Sequence, residues 1–286
     1  MFDLVSVILP TRNRVALLTE QLEALALQTY ADPWELIVVD NGSVDDTREV
    51  ATAFGHRLPL QVITASDRMG ASYARNCGAH AANGDYLFFV DDDDRVSPGW
   101  LAAMVVAAQR WDVLRGQLRH FRVGRRGEES VPTADFDGLF RAFDFLPSIT
   151  GANSGIRRDL FLELGGFDER YPRFEDTELY WRAQLAGHEP GFVADAVLHY
   201  RLRAGVRAMF DQCYRDEKVG PQLYREYRAA GMPRSSTRKA VRAWAGIVKN
   251  APLRLRSEEH RDDYVREVAR RLGRIVGSIR HRVVYL

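Results

Sequence analysis

Over the first hundred residues the hydrophobic positions fall into short unbroken runs, separated by longer stretches with helical spacing. VSVILP (5–10) is apolar almost throughout and rich in branched side chains, which predicts a strand buried on both faces. Leu17, Leu18, Leu22 and Leu25 then recur on one helix face, predicting a helix over 15–28. WELIVVD (34–40) is a second such run and ends on a carboxylate. Asn41-Gly42 turns the chain there, and a helix is expected over 45–53. LQVITA (60–65) predicts a third strand. Residues 70–82 predict a helix closed by Asn83-Gly84, and DYLFFVDDDD (85–94) predicts a fourth strand running into four aspartates. Strands that are apolar on both faces, alternating with helices, predict an α/β fold: a Rossmann-like, mostly parallel sheet with helices on both faces.

The pattern is less regular further on. A strand is expected within 112–123 and a loop over 124–135. Turns at Gly151, Gly155 and Gly165-Gly166 surround a helix expected over 176–186. From 204 the spacing is helical, with breaks expected near Gly231-Met232-Pro233 and Ala251-Pro252. Over 261–282, Val265, Val268, Leu272, Ile275, Val276 and Ile279 recur among arginines, the signature of an amphipathic basic helix. Two regions follow, a first domain over 1–203 and a basic helical C-terminal extension over 204–286.

Charge sharpens that division. The net charge is only +1, but residues 201–286 hold 21 Lys and Arg against 9 Asp and Glu, a net of +12. The first 200 residues hold 19 against 30, a net of −11. The basic extension suits an anionic surface, such as a membrane face or nucleic acid, or is a solvated arginine-rich helix face. Two cysteines, Cys77 and Cys213, are too few for a disulfide framework, which points to a reducing compartment. The N-terminal MFDLVSVILP lacks the basic stretch and cleavage site of a signal peptide, and no apolar window reaches spanning length. A cytoplasmic protein is expected, peripheral on the inner membrane face if the extension binds lipid.

In open α/β sheets, ligands bind at the carboxyl ends of the strands. Pro10-Thr11, Asp40, Ser66-Asp67 and Asp91–Asp94 all fall at such ends. Carboxylates crowded at the edge of a core call for a cation or a polar ligand. Hard divalent cations prefer carboxylate oxygens, and Asp91 and Asp93, two residues apart, form a candidate pair. A solvated acidic turn is the plainer alternative.

The runs VSVILPTRNR, ELIVVDNGSVDDT and ASDRMGASYARNCGAHAANGDYLFFVDDDD resemble, in order and spacing, the family 2 glycosyltransferases of GT-A fold, over roughly residues 3–202. The resemblance implies an inverting transferase that uses a nucleoside-diphosphate sugar, UDP-linked by preference, with Mg2+ or Mn2+. DDDD occupies the place of the family's DXD signature. This implies Asp93 as metal ligand, Asp91 near the ribose or donor sugar and at the metal, and Asp92 adjacent. It also implies Pro10, Thr11, Arg12, Asp40 and Asp67 at the nucleotide, and Asn153 lining the donor pocket. Arg75, in SYARN, is implied either as a phosphate contact or as a structural ion pair with Asp91 or Asp40. In RFEDTELYW (173–181), Asp176 is implied as general base with Glu175 beside it, although an acid pair also caps a helix. His199 in VLHYR is implied as a further metal ligand or is a satisfied structural residue.

Gln212-Cys213-Tyr214-Arg215 is followed by Asp216 rather than the tryptophan of processive members, so transfer of a single sugar is expected. The acceptor would be a glycan, a lipid-linked saccharide or a small molecule, and no nucleic-acid partner is expected. A nucleotidyltransferase acting on sugar phosphates would carry a glycine-rich first loop, which PTRNRVALL lacks. A dinucleotide oxidoreductase would carry G-x-G-x-x-G after the first strand, also lacking. A non-catalytic module that binds nucleotide sugar or membrane is the remaining alternative.

Overall fold

The computed structural model describes residues 2–124, 127–131, 138–202, 205–254 and 258–286. The chain divides into two compact units: Met1–Phe140 with Pro147–Leu202, and Arg141–Leu146 with Arg203–Leu286. The expected boundary residues, 203 and 204, lie outside the described residues.

The first unit opens with the predicted alternation: β1 (Val5–Thr11), α1 (Val15–Ala26), β2 (Trp34–Asp40), α2 (Thr47–Ala53), β3 (Leu60–Thr64), α3 (Ala71–Ala81) and β4 (Tyr86–Val90). It continues with β5 (Arg95–Val96), α4 (Trp100–Ala108), β6 (Val113–Gly124), β7 (Gly127–Ser130), β8 (Asn153–Arg157), α5 (Arg158–Glu163), α6 (Glu175–Leu185) and β9 (Pro190–Arg201). The strands form one sheet in the order β3-β2-β1-β4-β8-β6-β9-β5, with β7 paired to β6. β1, β2, β3 and β4 are parallel, as are β6 and β9. β8 runs antiparallel between β4 and β6.

Alternation along β1 explains the two cores. Val5, Val7 and Leu9 face Leu18, Leu22 and Leu25 of α1 and the buried side of α4. Ile8 faces the opposite way, with Ala74 and Ala79 of α3 and with Leu179, Tyr180 and Ala183 of α6. Both faces of β1, β2 and β4 are therefore largely buried, the reason these runs are almost wholly apolar, whereas β3 at the sheet edge is partly exposed. α3 lies close against the sheet at Gly78, where a Cβ would come 2.6 Å from Cγ2 of Ile8. That approach holds the helix carrying Arg75 at a fixed height above the strand ends.

The irregular stretch contains more sheet than its pattern predicts. The loop expected over 124–135 includes β7, paired in register with the end of β6, while 125–126 and 132–137 lie outside the described residues. β5, α4, α5, β8 and β9 were not anticipated. β8, Asn-Ser-Gly-Ile-Arg, has no apolar run, yet its first four residues are buried. β9 pairs with β6 through a register shift between Gly116 and Gln117, opposite Val193 and Val197, and the irregularity erases the two-residue period.

In the second unit, α7 (Val206–Tyr227), α8 (Thr237–Arg254) and α9 (Glu258–His281) follow one another. α9 packs along α7, closely enough at Gly277 that a Cβ would lie 2.3 Å from the carbonyl oxygen of Lys218. Arg274 Nε donates to Glu217 at 2.7 Å. The segment Arg141–Leu146 belongs to this unit through the ring pairs Phe143–Tyr285 and Phe145–Tyr227. The break expected at Gly231 is present, with Gly231 at φ 101°. The break expected at Ala251-Pro252 is not, because α8 runs through both to Arg254, and 255–257 lie outside the described residues. No helix among the described residues is long and apolar enough to cross a membrane.

Candidate active site

Four aspartates leave the carboxyl end of β4 and turn over the sheet. One oxygen each of Asp91, Asp93 and Asp94 lies within 4.8 Å of the others. Asp92 points elsewhere: Thr11, the last residue of β1, donates its Oγ1 hydrogen to it at 2.7 Å, and Nη1 of Arg14 donates to it at 2.9 Å. Burial pushes the Asp92 carboxyl up to about 6, with Arg14 and Thr11 opposing and Asp93 and Asp91 adding to the rise. Burial, then Asp91 and Asp93, push Asp94 well above its ordinary value.

A divalent cation suits this donor set. Three carboxylates offer hard oxygen ligands, and Oδ2 of Asp94 is buried without a hydrogen-bond partner. A buried unsatisfied acceptor among like charges is costly unless a cation meets it. The cluster thus includes the expected Asp91 and Asp93 and adds Asp94.

His199 is not in that cluster. It pairs across the sheet with Arg95, and its Nε2 lies 3.3 Å from the hydroxyl of Ser97. Burial and the neighbouring Arg95 and Arg119 lower its pKa. Arg201, two residues further along the same strand, reaches the aspartates instead. Its backbone N–H donates to Asp94 at 2.9 Å and its Nε to the carbonyl of Asp93 at 3.1 Å.

The first loop is set by its neighbour. Asn13 takes the left-handed region at φ 52°, which asparagine tolerates better than most residues. Its N–H donates to Ser43 at 3.0 Å, and its side-chain carbonyl accepts from Val44 N–H at 2.8 Å. The turn leaves Arg12 exposed and brings Arg14 to the aspartates, so Arg14 rather than Arg12 is the arginine of this loop that bonds them. Pro10 is buried in β1. Asp40, also buried, accepts the Ser43 N–H at 2.9 Å. Asn41 clamps the next loop, donating to the carbonyls of Ala65 and Arg68 and accepting from Gly70 N–H at 2.8 Å. Asp67, on that loop, is exposed.

Arg75 joins the aspartate turn to the second acid pair. Nη2 donates to Asp91 at 2.6 Å and Nη1 to Glu175 at 3.0 Å, from a side chain only 5% exposed. Burial lowers its pKa, but Asp91 and Glu175 outweigh that and raise it. Glu175 and Asp176 head α6, where three acids in the first turn meet the positive end of the helix. Phe174 before them is left-handed at φ 60°, a strained value for an aromatic residue. Asp176 accepts the N–H of Gly151 at 2.7 Å and that of Thr177 at 2.6 Å. Burial raises both acids, Asp176 raising Glu175 further and Arg75 opposing it for both.

Asn153 departs from its expected place. It is wholly buried, accepts from the indole N–H of Trp100 at 2.7 Å, and donates to the carbonyls of Gln117 and Ala196 at 3.0 Å. Its amide ties β8 to the irregular β6–β9 ladder and to α4, with both amide hydrogens used.

A family model described as Glycosyl transferase family 2 matches residues 6–165. Glu175, Asp176 and His199 lie beyond the matched stretch. Glycosyltransferase GlyG of Streptococcus pneumoniae is 28% identical over 234 residues, covering 74% of this chain and 75% of the relative. In fold, the chain is similar to S. aureus TarS 1–349 in complex with UDP, with a TM-score of 0.59 at 20% identity over 99% of this chain and 93% of that one. It is similar also to the mannosyltransferase PcManGT from Pyrobaculum calidifontis in complex with GDP-Man and Mn2+, with a TM-score of 0.68 at 17% identity over 98% and 87%. The architecture is that of the GT-A glycosyltransferases.

Proposed function

The chain belongs to glycosyl transferase family 2, and from that premise we propose that it is an inverting enzyme moving one sugar from a nucleoside-diphosphate sugar, UDP-linked by preference, to an acceptor hydroxyl. The observation that carries this reading is the Arg75 guanidinium, bonded at once to Asp91 in the aspartate turn and to Glu175 beside Asp176. Donor chemistry and base chemistry then meet within the reach of one side chain.

Asp91, Asp93 and Asp94 would hold Mg2+ or Mn2+, which supplies positive charge for the departing diphosphate. Asp40, Thr11 and the loop clamped by Asn41 would take the nucleoside. Asp176 would accept the proton of the attacking hydroxyl through an oxygen lone pair not used by Gly151 or Thr177. Attack in line with the leaving group, with one base and no covalent intermediate, inverts the anomeric centre. Burial around Asp176 and Glu175 keeps competing water away from the reacting atoms.

Calorimetry with UDP, GDP, dTDP and CMP, with and without Mn2+, tests the donor site. The expected result is metal-dependent binding of one nucleotide, lost in Asp93→Ala. Binding that ignores both metal and substitution would defeat the metal assignment.

The acceptor side of the proposal includes a membrane. On α8, Val241 and Val248 are 63% and 73% exposed beside the exposed Arg238, Arg242 and Lys249. A face of that kind suits an anionic lipid surface and an acceptor carried there. Sedimentation with phosphatidylserine vesicles at low salt should carry the protein down, and Val241→Asp with Val248→Asp should abolish it. Equal sedimentation of wild type and double variant would remove the membrane from this reading.

A further inference from the structure

Three aspartates of the β4 turn are each held by a group of their own or by more than one. Asp91 takes Arg75, Asp92 takes Thr11 and Arg14, and Asp94 takes the backbone N–H of Arg201. Asp93 differs: among the described residues its carboxylate takes a hydrogen bond only from Nη1 of Arg14, at 2.5 Å. The same nitrogen lies 2.9 Å from Asp92. One guanidinium nitrogen therefore sits between two carboxylates, as a metal ion would, and one of the two is a member of the convergent oxygen cluster.

Arg14 differs from Arg75 in a second way. Arg75 is 5% exposed and pinned at both ends, whereas Arg14 is 35% exposed and has solvent on one side. A guanidinium has only donors and cannot share an oxygen lone pair with a metal ion. Two cations on neighbouring oxygens of one cluster also repel at short range.

We propose that Arg14 is the resident counter-cation of the unloaded site: it occupies Asp93 in place of the metal and must release that carboxylate when the metal enters. The freed guanidinium, on the open side of the cluster, then bonds an anionic oxygen of the donor's diphosphate. Metal and nucleotide thus bind cooperatively, because the nucleotide supplies the partner that Arg14 gives up. The inference rests on the metal assignment above.

The test is Mn2+ titration of the whole chain, with free Mn2+ read by electron paramagnetic resonance, first without nucleotide and then with UDP or GDP. Without nucleotide, Arg14→Gln should bind Mn2+ about tenfold tighter than wild type, since a competing charge is gone. Nucleotide should then tighten Mn2+ binding less in the variant than in wild type. Arg14→Lys keeps the charge and should stay near the wild-type affinity, which provides a folded comparison if the glutamine variant is unstable. Arg12→Gln makes the same change of net charge at an exposed position of the same loop and should leave Mn2+ affinity nearly unchanged. Equal or weaker Mn2+ binding in Arg14→Gln, with wild type binding normally, overturns the role of Arg14 and leaves the metal site standing. A tenfold gain in Arg12→Gln as well overturns it too, by reducing the effect to overall charge. No Mn2+ uptake by wild type or any variant overturns the metal assignment itself and this inference with it.

Discussion

Two groups of acids face each other across Arg75, and they are built in opposite ways. At the end of β4 the aspartates sit in a turn, partly open: Asp91 and Asp93 keep 30% and 24% of their side chains exposed, and Asp94 carries a buried oxygen with no partner. At the head of α6 the pair is more closely held: Glu175 keeps 14% of its side chain exposed, and each oxygen of Asp176 accepts a backbone N–H. The first arrangement is incomplete without a cation. The second has one backbone N–H on each oxygen of Asp176, which holds that carboxylate in one orientation and leaves a lone pair on each oxygen. Residues of the same type are thus suited to different tasks, the proposed ligand set in one place and the proposed proton acceptor in the other, according to what the backbone leaves unsatisfied.

The sharpest way to break this comparison is to remove the proposed proton acceptor. Asp176→Asn should lower turnover by about 10²–10⁴-fold while metal-dependent nucleotide binding persists. Loss of nucleotide binding in the same variant would mean that the two acid groups are one site with one task. Next in size is Arg75→Met, which leaves Asp91 and Glu175 without their shared partner. Removing one member of a buried charge network costs about 3–5 kcal/mol, read as a lower urea midpoint. Arg75→Lys should recover part of that loss, because a single ammonium reaches one acid at a time. Smaller again is Asn153→Ala, which strands the Trp100 indole N–H and two strand carbonyls at a cost of about 1–3 kcal/mol. Nucleotide affinity should not move. Were it to fall while stability held, Asn153 would belong to the donor pocket after all.

What was legible in the sequence follows the same physics. β1, β2 and β4 are largely buried on both faces, so each reads as a nearly continuous apolar run, and their carboxyl ends mark Thr11, Asp40 and the aspartates. β8 and β9 wrote no such run. Gly155 lies in β8 because a side chain there would collide with Phe88 and Tyr86, and β9 crosses a register shift. Within the site, residue types were readable and aim was not. Arg12 and Arg14 share one loop, and the left-handed turn at Asn13 accompanies the choice between them. His199 and Arg201 share one strand, and the aspartate turn meets the second. Spacing suggested Asp91 with Asp93, but a tight turn also folds Asp94 back onto them. At Asn153 nothing in the sequence foretells an irregular ladder that its amide closes.

The smallest expected effect lies in pH, and it separates the two acid groups without destroying either. Burial raises Glu175 and Asp176 above their ordinary values, so the folded chain keeps a proton at pH values where the unfolded chain has lost it. The stability gained from that proton is fully present below the ordinary carboxylate value and is lost as pH rises through the folded value. Turnover has the opposite sign, since a base must be free of its proton, and is lost as pH falls through the same value. Stability and turnover should therefore move in opposite directions over one window, placed above the ordinary carboxylate range. Asp176→Asn removes both one of the two raised groups and the like charge that raises Glu175. The gain in urea midpoint on acidification should then be smaller in the variant than in wild type, with both measured without metal. Parallel curves would place the retained proton on the aspartate turn, where Asp92 and Asp94 are raised as well. In that case added Mn2+, which competes for the oxygens of that turn and not for those of α6, should flatten the acid gain in both proteins alike.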